Sequence, residues 1–199
     1  MAKLIFNYSA MNSGKTLDLI RTAYNYHENN LKVLIMKPSV DTKGGDYIVT
    51  RIGNGRKVDI LIKEDDKILS LLKDKVENIS CILVDEVQFL KEDQIMDLFI
   101  FCNTYDIPVI CYGLRTNFKG ELFSGSKMLL ALADELNEFK SLCKCGKIAR
   151  FNARIVNDSY VTCGDEVVID GSENVIYEPL CSKCFTEKIL LKNKILIKK

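Results

Sequence analysis

The chain begins with an apolar strand, a phosphate-binding loop and a helix in immediate succession. Residues 9–16 read Ser-Ala-Met-Asn-Ser-Gly-Lys-Thr, which matches the loop pattern G-x-x-x-x-G-K-S/T except that Ser9 stands at the first glycine position. The apolar segment 4–8 precedes the loop, and apolar side chains recur at helical spacing from Leu17 onward. A helix that starts directly after such a loop directs backbone N–H groups and its dipole at a polyphosphate. The arrangement therefore predicts a binding site for a nucleoside triphosphate.

Apolar runs and amphipathic stretches alternate through the first two thirds of the chain. Buried strands are predicted at four further runs, 32–36, 58–62, 81–84 and 109–113. Helices are predicted from about Asp65 and again around Leu98, and the glycine-rich segment 39–57 is expected to be a mobile excursion or a hairpin. This βαβ succession predicts an α/β fold of the P-loop NTPase type, with a mostly parallel sheet and helices on both faces.

Four side chains are suited to bind the phosphates, to hold a metal ion or to accept a proton. Lys15 is predicted to reach the β- and γ-phosphates, and the Thr16 hydroxyl to face Mg²⁺. Asp85 and Glu86 follow the buried run 81–84, so they lie at the sheet edge where ligands bind in such folds. Asp85 is predicted to hold Mg²⁺ directly or through water, and Glu86 to accept a proton from the attacking group. A solvated pair of carboxylates is the alternative, which the upstream loop disfavours.

Four of the eight cysteines form two close pairs. Two such pairs at a distance are typical of a structural zinc site, because four thiolates complete a tetrahedron and leave no open position for catalysis. The predicted ligands are Cys143, Cys145, Cys181 and Cys184. The first pair is spaced C-x-C, tighter than the usual C-x₂-C, and four unrelated thiols are the alternative. The remaining cysteines are expected to be core side chains in apolar runs, or to have no partner nearby: Cys81, Cys102, Cys111 and Cys163.

The character of the sequence changes at the first cysteine pair. Residues 1–142 are predicted to form a nucleotide-binding α/β domain, and residues 143–199 a small zinc-bound β subdomain with a C-terminal tail. Strand-like stretches at 148–156, 160–162 and 167–169 alternate there with turn residues. The part bracketed by the cysteine pairs, about forty residues, is too small to build much hydrophobic core unaided, so a bound metal would be needed to stabilise it.

Charge and hydropathy exclude some classes of protein. The formal net charge is +1 with 28% charged residues, which argues against a nucleic-acid-binding surface spread over the whole molecule. The sequence has no apolar run long enough to span a membrane and no signal peptide, so a cytoplasmic protein without disulfides is expected.

Four motifs in this order resemble the zinc-containing, cytosolic thymidine kinases, and the likeness is closest to their bacterial members. They are the loop Tyr-Ser-Ala-Met-Asn-Ser-Gly-Lys-Thr at 8–16, Val-Asp-Glu-Val-Gln-Phe at 84–89, Gly-Leu-Arg-Thr-Asn-Phe at 113–118, and the cysteine pairs. The resemblance covers nearly the whole chain. It implies ATP-dependent phosphorylation of the 5′-hydroxyl of thymidine, and of deoxyuridine, in nucleotide salvage. It further implies Mg²⁺ and structural Zn²⁺, feedback inhibition by dTTP, and a homotetramer.

The resemblance also assigns residues. Glu86 is similar to the catalytic base of the family. The nucleotide-binding positions that it implies are Ser9, Ala10, Met11, Asn12, Ser13, Gly14, Lys15, Thr16, Asp85, Glu86, Val87 and Gln88. The positions that it implies for enclosing the nucleoside are Met11, Phe89, Leu114, Phe118, Phe123, Val168, Ile169 and Tyr177, the last from a loop that covers the substrate.

Some positions depart from the family pattern, and other functions remain alternatives. Lys43 stands where many relatives have an arginine, so either Lys43 or Arg51 could face a phosphate, and the stretch 169–177 is longer than in close relatives. A P-loop ATPase with water as acceptor would also use Glu86, but the aromatic residues near the motifs favour an organic substrate. A zinc-dependent nucleic-acid-binding module is disfavoured by the mixed charges of the zinc subdomain.

Overall fold

A computed structural model describes residues 1–50, 53, 55–164 and 175–191. The strands are β1 (Leu4–Ser9), β2 (Val33–Pro38), β3 (Tyr47–Val49), β4 (Gly55–Lys57), β5 (Ile60–Ile62), β6 (Cys81–Val84), β7 (Val109–Leu114), β8 (Glu135–Glu138), β9 (Ser141–Leu142), β10 (Ile148–Ala149), β11 (Phe151–Val156), β12 (Ser159–Val161) and β13 (Val175–Leu180). The helices are α1 (Lys15–Glu28), α2 (Ile68–Leu72), α3 (Glu92–Tyr105), α4 (Ser124–Leu132) and α5 (Ser182–Phe185).

A six-stranded parallel sheet in the order β5-β2-β6-β7-β1-β8 is the centre of the fold. Its inner strands are continuous apolar runs because both faces of the sheet are covered. Leu19 and Ala23 of α1 pack on one face, while Leu98 of α3 and Leu129 of α4 pack in the cluster on the other. The predicted α/β fold with helices on both faces is confirmed.

Two elements of this sheet domain were not predicted from the sequence. Strand β8 lies at the sheet edge and is mostly polar, so it lacks the apolar run of a buried strand. Helix α4 begins with Ser124-Gly125, which reads as a turn. A Cβ on Gly125 would lie 2.6 Å from the carbonyl oxygen of Val87, so the glycine is required by the close approach of the helix.

The segment between β2 and β5 folds as a hairpin, which confirms one of the two alternatives. Strands β3 and β4 pair antiparallel. The buried ammonium group of Lys37, on β2, donates to the carbonyl oxygen of Lys43 at 2.8 Å and contacts the Asp41 carboxylate at 3.1 Å.

The helix predicted from Asp65 is shorter than expected, because α2 tightens into a 3₁₀ turn at Lys73–Lys75.

The region after β8 is a small β structure around the cysteine pairs. Strands β9 and β10 pair with each other, and β12, β11 and β13 form an antiparallel sheet. Helix α5 continues as a π-helical segment, Thr186–Leu190, where the sequence analysis expected only a tail. The predicted strand at 167–169 and the end of the tail lie outside the described residues. Within the described ranges, no helix is long and apolar enough to cross a membrane.

Candidate active site

The phosphate-binding loop joins β1 to α1 at the carboxyl edge of the sheet. Gly14 has φ 83°, and a Cβ there would meet nothing within 4 Å. The glycine is therefore required by the left-handed backbone and not by lack of space. Asn12 also has a positive φ, 62°, a conformation that asparagine adopts more readily than most residues. The loop thus turns sharply and presents its N–H groups where α1 begins.

Ser9, which stands in place of the first loop glycine, contacts the loop lysine. The buried Lys15 donates to the Ser9 hydroxyl oxygen at 2.7 Å and to the Ala10 carbonyl oxygen at 3.3 Å. Burial lowers the pKa of Lys15, and the nearby carboxylates of Glu86 and Asp85 oppose that effect. The contact between Ser9 and Lys15 was not predicted, because a motif does not specify where the lysine side chain lies.

Asp85 and Glu86 follow β6 at the same edge, one buried and one half-buried. Burial raises the pKa of Asp85 to about 7, and the adjacent charge of Glu86 adds to the effect. A divalent cation beside Asp85 would favour its ionised form. The ammonium group of Lys15 in turn opposes the rise in the pKa of Asp85.

Glu86 is held in an uncommon conformation by its neighbours. Its backbone is left-handed, with φ 49° and ψ 37°, which a residue with a side chain adopts only where the surroundings impose it, often at functional sites. The amide nitrogen of Gln88 donates to a carboxylate oxygen of Glu86 at 2.5 Å, and the amide oxygen of Gln88 accepts the N–H of Leu114 at 2.9 Å. A Cβ on Gly113 would lie 2.6 Å from that amide oxygen. Gln88 therefore connects Glu86 to the end of β7.

A cleft of about 280 Å³ opens over the loop. It is lined by Met11, Asn12, Ser13, Gly14, Lys15, Thr16, Leu17, Lys43, Val49, Thr50, Glu86 and Leu114. The cleft thus gathers most of the predicted nucleotide-binding loop, Glu86, and two of the predicted nucleoside contacts, Met11 and Leu114. Lys43 reaches this cleft, whereas Arg51 lies outside the described residues.

The predicted aromatic contacts are divided between two places. Phe89 and Phe123 meet edge to face, with ring centres 5.9 Å apart, and line a second cleft of about 440 Å³. Phe118 and Tyr177 instead share a contact with Arg154, a residue for which no site role was predicted. Val168 and Ile169 lie outside the described residues.

The four predicted zinc ligands come together in one cluster. Their sulfur atoms all lie within 4.8 Å of one another, and those of Cys145 and Cys181 are 3.5 Å apart. Metal–sulfur bonds of about 2.3 Å in a tetrahedron place sulfurs about 3.8 Å apart, so the set fits a zinc ion. Burial opposes ionisation of Cys143, but hydrogen bonds from the backbone N–H groups of Cys145 and Cys181 and from the thiols of Cys145 and Cys184 together bring its pKa down to about 7. A lowered thiol pKa favours the thiolate that binds metal.

Comparison with known proteins gives one consistent result. The family model described as thymidine kinase matches residues 2–185 of this chain. The chain belongs to the thymidine kinase family. A thymidine kinase of Shewanella oneidensis is 43% identical over 192 residues, covering 95% of this chain and 99% of its own length. That of Enterobacteria phage T4 is 44% identical over 191 residues, covering 94% and 97%, and that of Rhodopirellula baltica 40% over 193 residues, covering 95% and 90%.

Membership of the thymidine kinase family confirms the resemblance given by the four motifs, and with it the expectation of a kinase. The family match extends through the cysteine cluster, since residues 2–185 include all four ligands. The cleft over the loop and the cysteine cluster are therefore features of one thymidine kinase chain.

Proposed function

We propose that this protein transfers the γ-phosphate of ATP to the 5′-hydroxyl of thymidine, and of deoxyuridine, in nucleotide salvage. The observation that carries the proposal is the shared cleft of Lys15 and Glu86 in a chain of the thymidine kinase family. A lysine of the phosphate-binding loop and a carboxylate that line one cleft suit a donor phosphate and an acceptor hydroxyl. Phosphoryl transfer requires mainly such positioning and charge stabilisation.

The phosphates of ATP are proposed to occupy the loop. The loop N–H groups other than that of Met11, which donates to Asn152, and the ammonium group of Lys15 would bind them. In doing so, a phosphate would replace the Ser9 hydroxyl as the main partner of Lys15. Thr16 and Asp85 would hold Mg²⁺, since hydroxyl and carboxylate oxygens suit that ion, and Val87 and Gln88 complete the nucleotide-binding set. Mg²⁺ held there would neutralise charge that develops on the phosphates.

Glu86 is proposed to be the catalytic base that takes the proton of the 5′-hydroxyl. Its hydrogen bond to Gln88 supports this role, because the amide fixes one carboxylate oxygen and leaves the other for the substrate. Lys43 lines the same cleft and is proposed to face a phosphate.

The nucleoside is proposed to bind beside the loop, among Met11, Phe89, Leu114, Phe118, Phe123, Val168, Ile169 and Tyr177. A flat base suits apolar and aromatic walls with few polar contacts. Residues 1–142 would then form the catalytic domain. Residues 143–199 would supply the zinc subdomain and the covering loop, with zinc in a structural role. A cytoplasmic location, a homotetrameric assembly and inhibition by dTTP are proposed from family membership.

The test is a nucleoside survey with the purified full-length chain, ATP and Mg²⁺. Thymidine and deoxyuridine should be phosphorylated well and deoxycytidine poorly, as measured by separation of the radiolabelled monophosphates. Transfer to none of these deoxynucleosides would refute the proposal. ATP hydrolysis that is independent of nucleoside would support the alternative with water as acceptor.

A further inference from the structure

The two faces of β11 have different environments. Successive side chains of a strand point to opposite faces. Ala153 lies in the apolar cluster that includes Cys143 and Cys181, so Arg154 points the other way. There it is 4% exposed, which is unusual for an arginine, because a buried charge requires compensating contacts.

Aromatic groups from two parts of the chain meet the Arg154 side chain. Arg154 and Tyr177 are directly opposite in the register of β11 and β13, and the arginine Nε–H donates to the tyrosine hydroxyl oxygen at 2.8 Å. The guanidinium carbon lies 3.9 Å from the centre of the Phe118 ring, well inside the range of a cation–π contact. Phe118 belongs to the segment after β7, so Arg154 joins the sheet domain to the zinc subdomain.

Arginine is the residue type that can make both contacts at once. Its planar guanidinium stacks on a ring while its N–H groups donate in fixed directions, whereas the lysine ammonium is a flexible point charge. Phe118 is 1% exposed, so its ring has little room to move once the arginine is in place. Gly164, the last described residue before the segment 165–174, is also near, since a Cβ there would lie 3.7 Å from a terminal nitrogen of Arg154.

We propose that Arg154 is a positioning residue for the nucleoside, which holds the Phe118 ring and the Tyr177 side chain in one arrangement. The inference rests on the proposed function, in which both aromatic side chains enclose the base. Side chains that are already ordered bind a rigid ligand more tightly, because binding no longer has to order them. Neither aromatic residue lines the cleft over the loop, so Arg154 should affect nucleoside binding and leave ATP binding unchanged.

The first test is Arg154→Lys, which keeps the charge and removes the planar group. The KM for thymidine should rise about tenfold, which corresponds to the loss of one charge-assisted hydrogen bond. The KM for ATP and the kcat at saturating thymidine should change less than about twofold. The matched control is Arg150→Lys, because Arg150 is exposed and forms an ion pair with Glu138. This control should leave every constant unchanged. If the wild type is active and Arg154→Lys has an unchanged KM for thymidine, this inference is overturned and the proposed function is not.

The second test is a double-mutant cycle with Tyr177→Phe, which removes only the hydroxyl that accepts the arginine hydrogen bond. If Arg154 acts through Tyr177, the double variant should raise the KM for thymidine no more than the larger single variant. Additive effects would overturn the inference. If Arg154→Lys loses zinc or its melting transition, the inference is tested with Tyr177→Phe alone. A raised KM for thymidine in a fully folded Tyr177→Phe variant would support the inference, and an unchanged KM for thymidine would overturn it. A wild type that phosphorylates no deoxynucleoside would refute the proposed function, and this inference with it.

Discussion

The loop end of the parallel sheet and the cysteine-bracketed subdomain are stabilised in different ways. The sheet domain packs apolar side chains on both faces of six strands, and helices cover them. In the subdomain the core is small and includes the candidate ligands Cys143 and Cys181 themselves. A core whose members are metal ligands depends on the ion, whereas a core of aliphatic side chains depends on buried area.

The same difference governs how each region places its functional side chains. At the loop, the conformation is local: a positive φ at Gly14 and the start of α1 follow from the motif. In the subdomain, Arg154 and Asn152 act across long sequence separations, on Phe118 and Met11. The first arrangement depends on local sequence, whereas the second depends on contacts between residues that are distant in sequence.

Of the predicted changes, removal of a candidate zinc ligand should have the largest effect and should separate the stability of the subdomain from that of the sheet domain. Cys184→Ser should abolish stoichiometric zinc binding and destabilise the subdomain by several kcal/mol, because zinc binding is part of its folding free energy. Hydrogen–deuterium exchange should become fast in β11 and β13 and stay slow in β2 and β6. The matched control is Cys163→Ser, since Cys163 is exposed and outside the cluster. Equal loss of protection in the central sheet would show that the two regions unfold as one unit.

A single carboxylate at the sheet edge should have the next largest effect. Glu86→Gln keeps the shape of the side chain and removes its basicity, so kcat should fall by about 10²–10⁴, the range for a lost general base. Binding of ATP, measured by calorimetry, should persist, because the loop and Lys15 are untouched. The exposed Glu28→Gln serves as control and should be fully active. A kcat within threefold of wild type (roughly 0.7 kcal/mol) would contradict the role of Glu86 as base.

Much of the sheet domain could be predicted from the sequence, and the reasons are local. Buried parallel strands are apolar throughout, so β2, β6 and β7 stand out, and the loop motif fixes its own place between strand and helix. Helix α4 was not predicted, because Gly125 near its start suggested a turn. The glycine is required there because a Cβ would clash with the carbonyl oxygen of Val87. Strand β8 was missed because an edge strand is not selected for apolar character.

The contacts made by the subdomain could not be predicted in the same way. Arg154 was only one of the mixed charges of the zinc subdomain, because the sequence does not show that a charged side chain is buried. Its contact with Phe118 joins residues 36 positions apart. The spacing of the cysteines did predict the cluster, since ligand pairs are a local pattern even when the pairs are distant.

The smallest predicted effect concerns one direct hydrogen bond between the two regions. The backbone N–H of Met11, in the loop, donates to the side-chain oxygen of the buried Asn152 at 2.8 Å. Asn152→Ala should leave that N–H without its partner, which costs about 1 kcal/mol and corresponds to a rise of about fivefold in the KM for ATP. The control is Asn103→Ala, an exposed residue of α3 that bonds only to its own helix among the described contacts. An unchanged KM for ATP would show that the loop keeps its shape without this hydrogen bond, and the conformation of the loop would then be set by its own sequence alone.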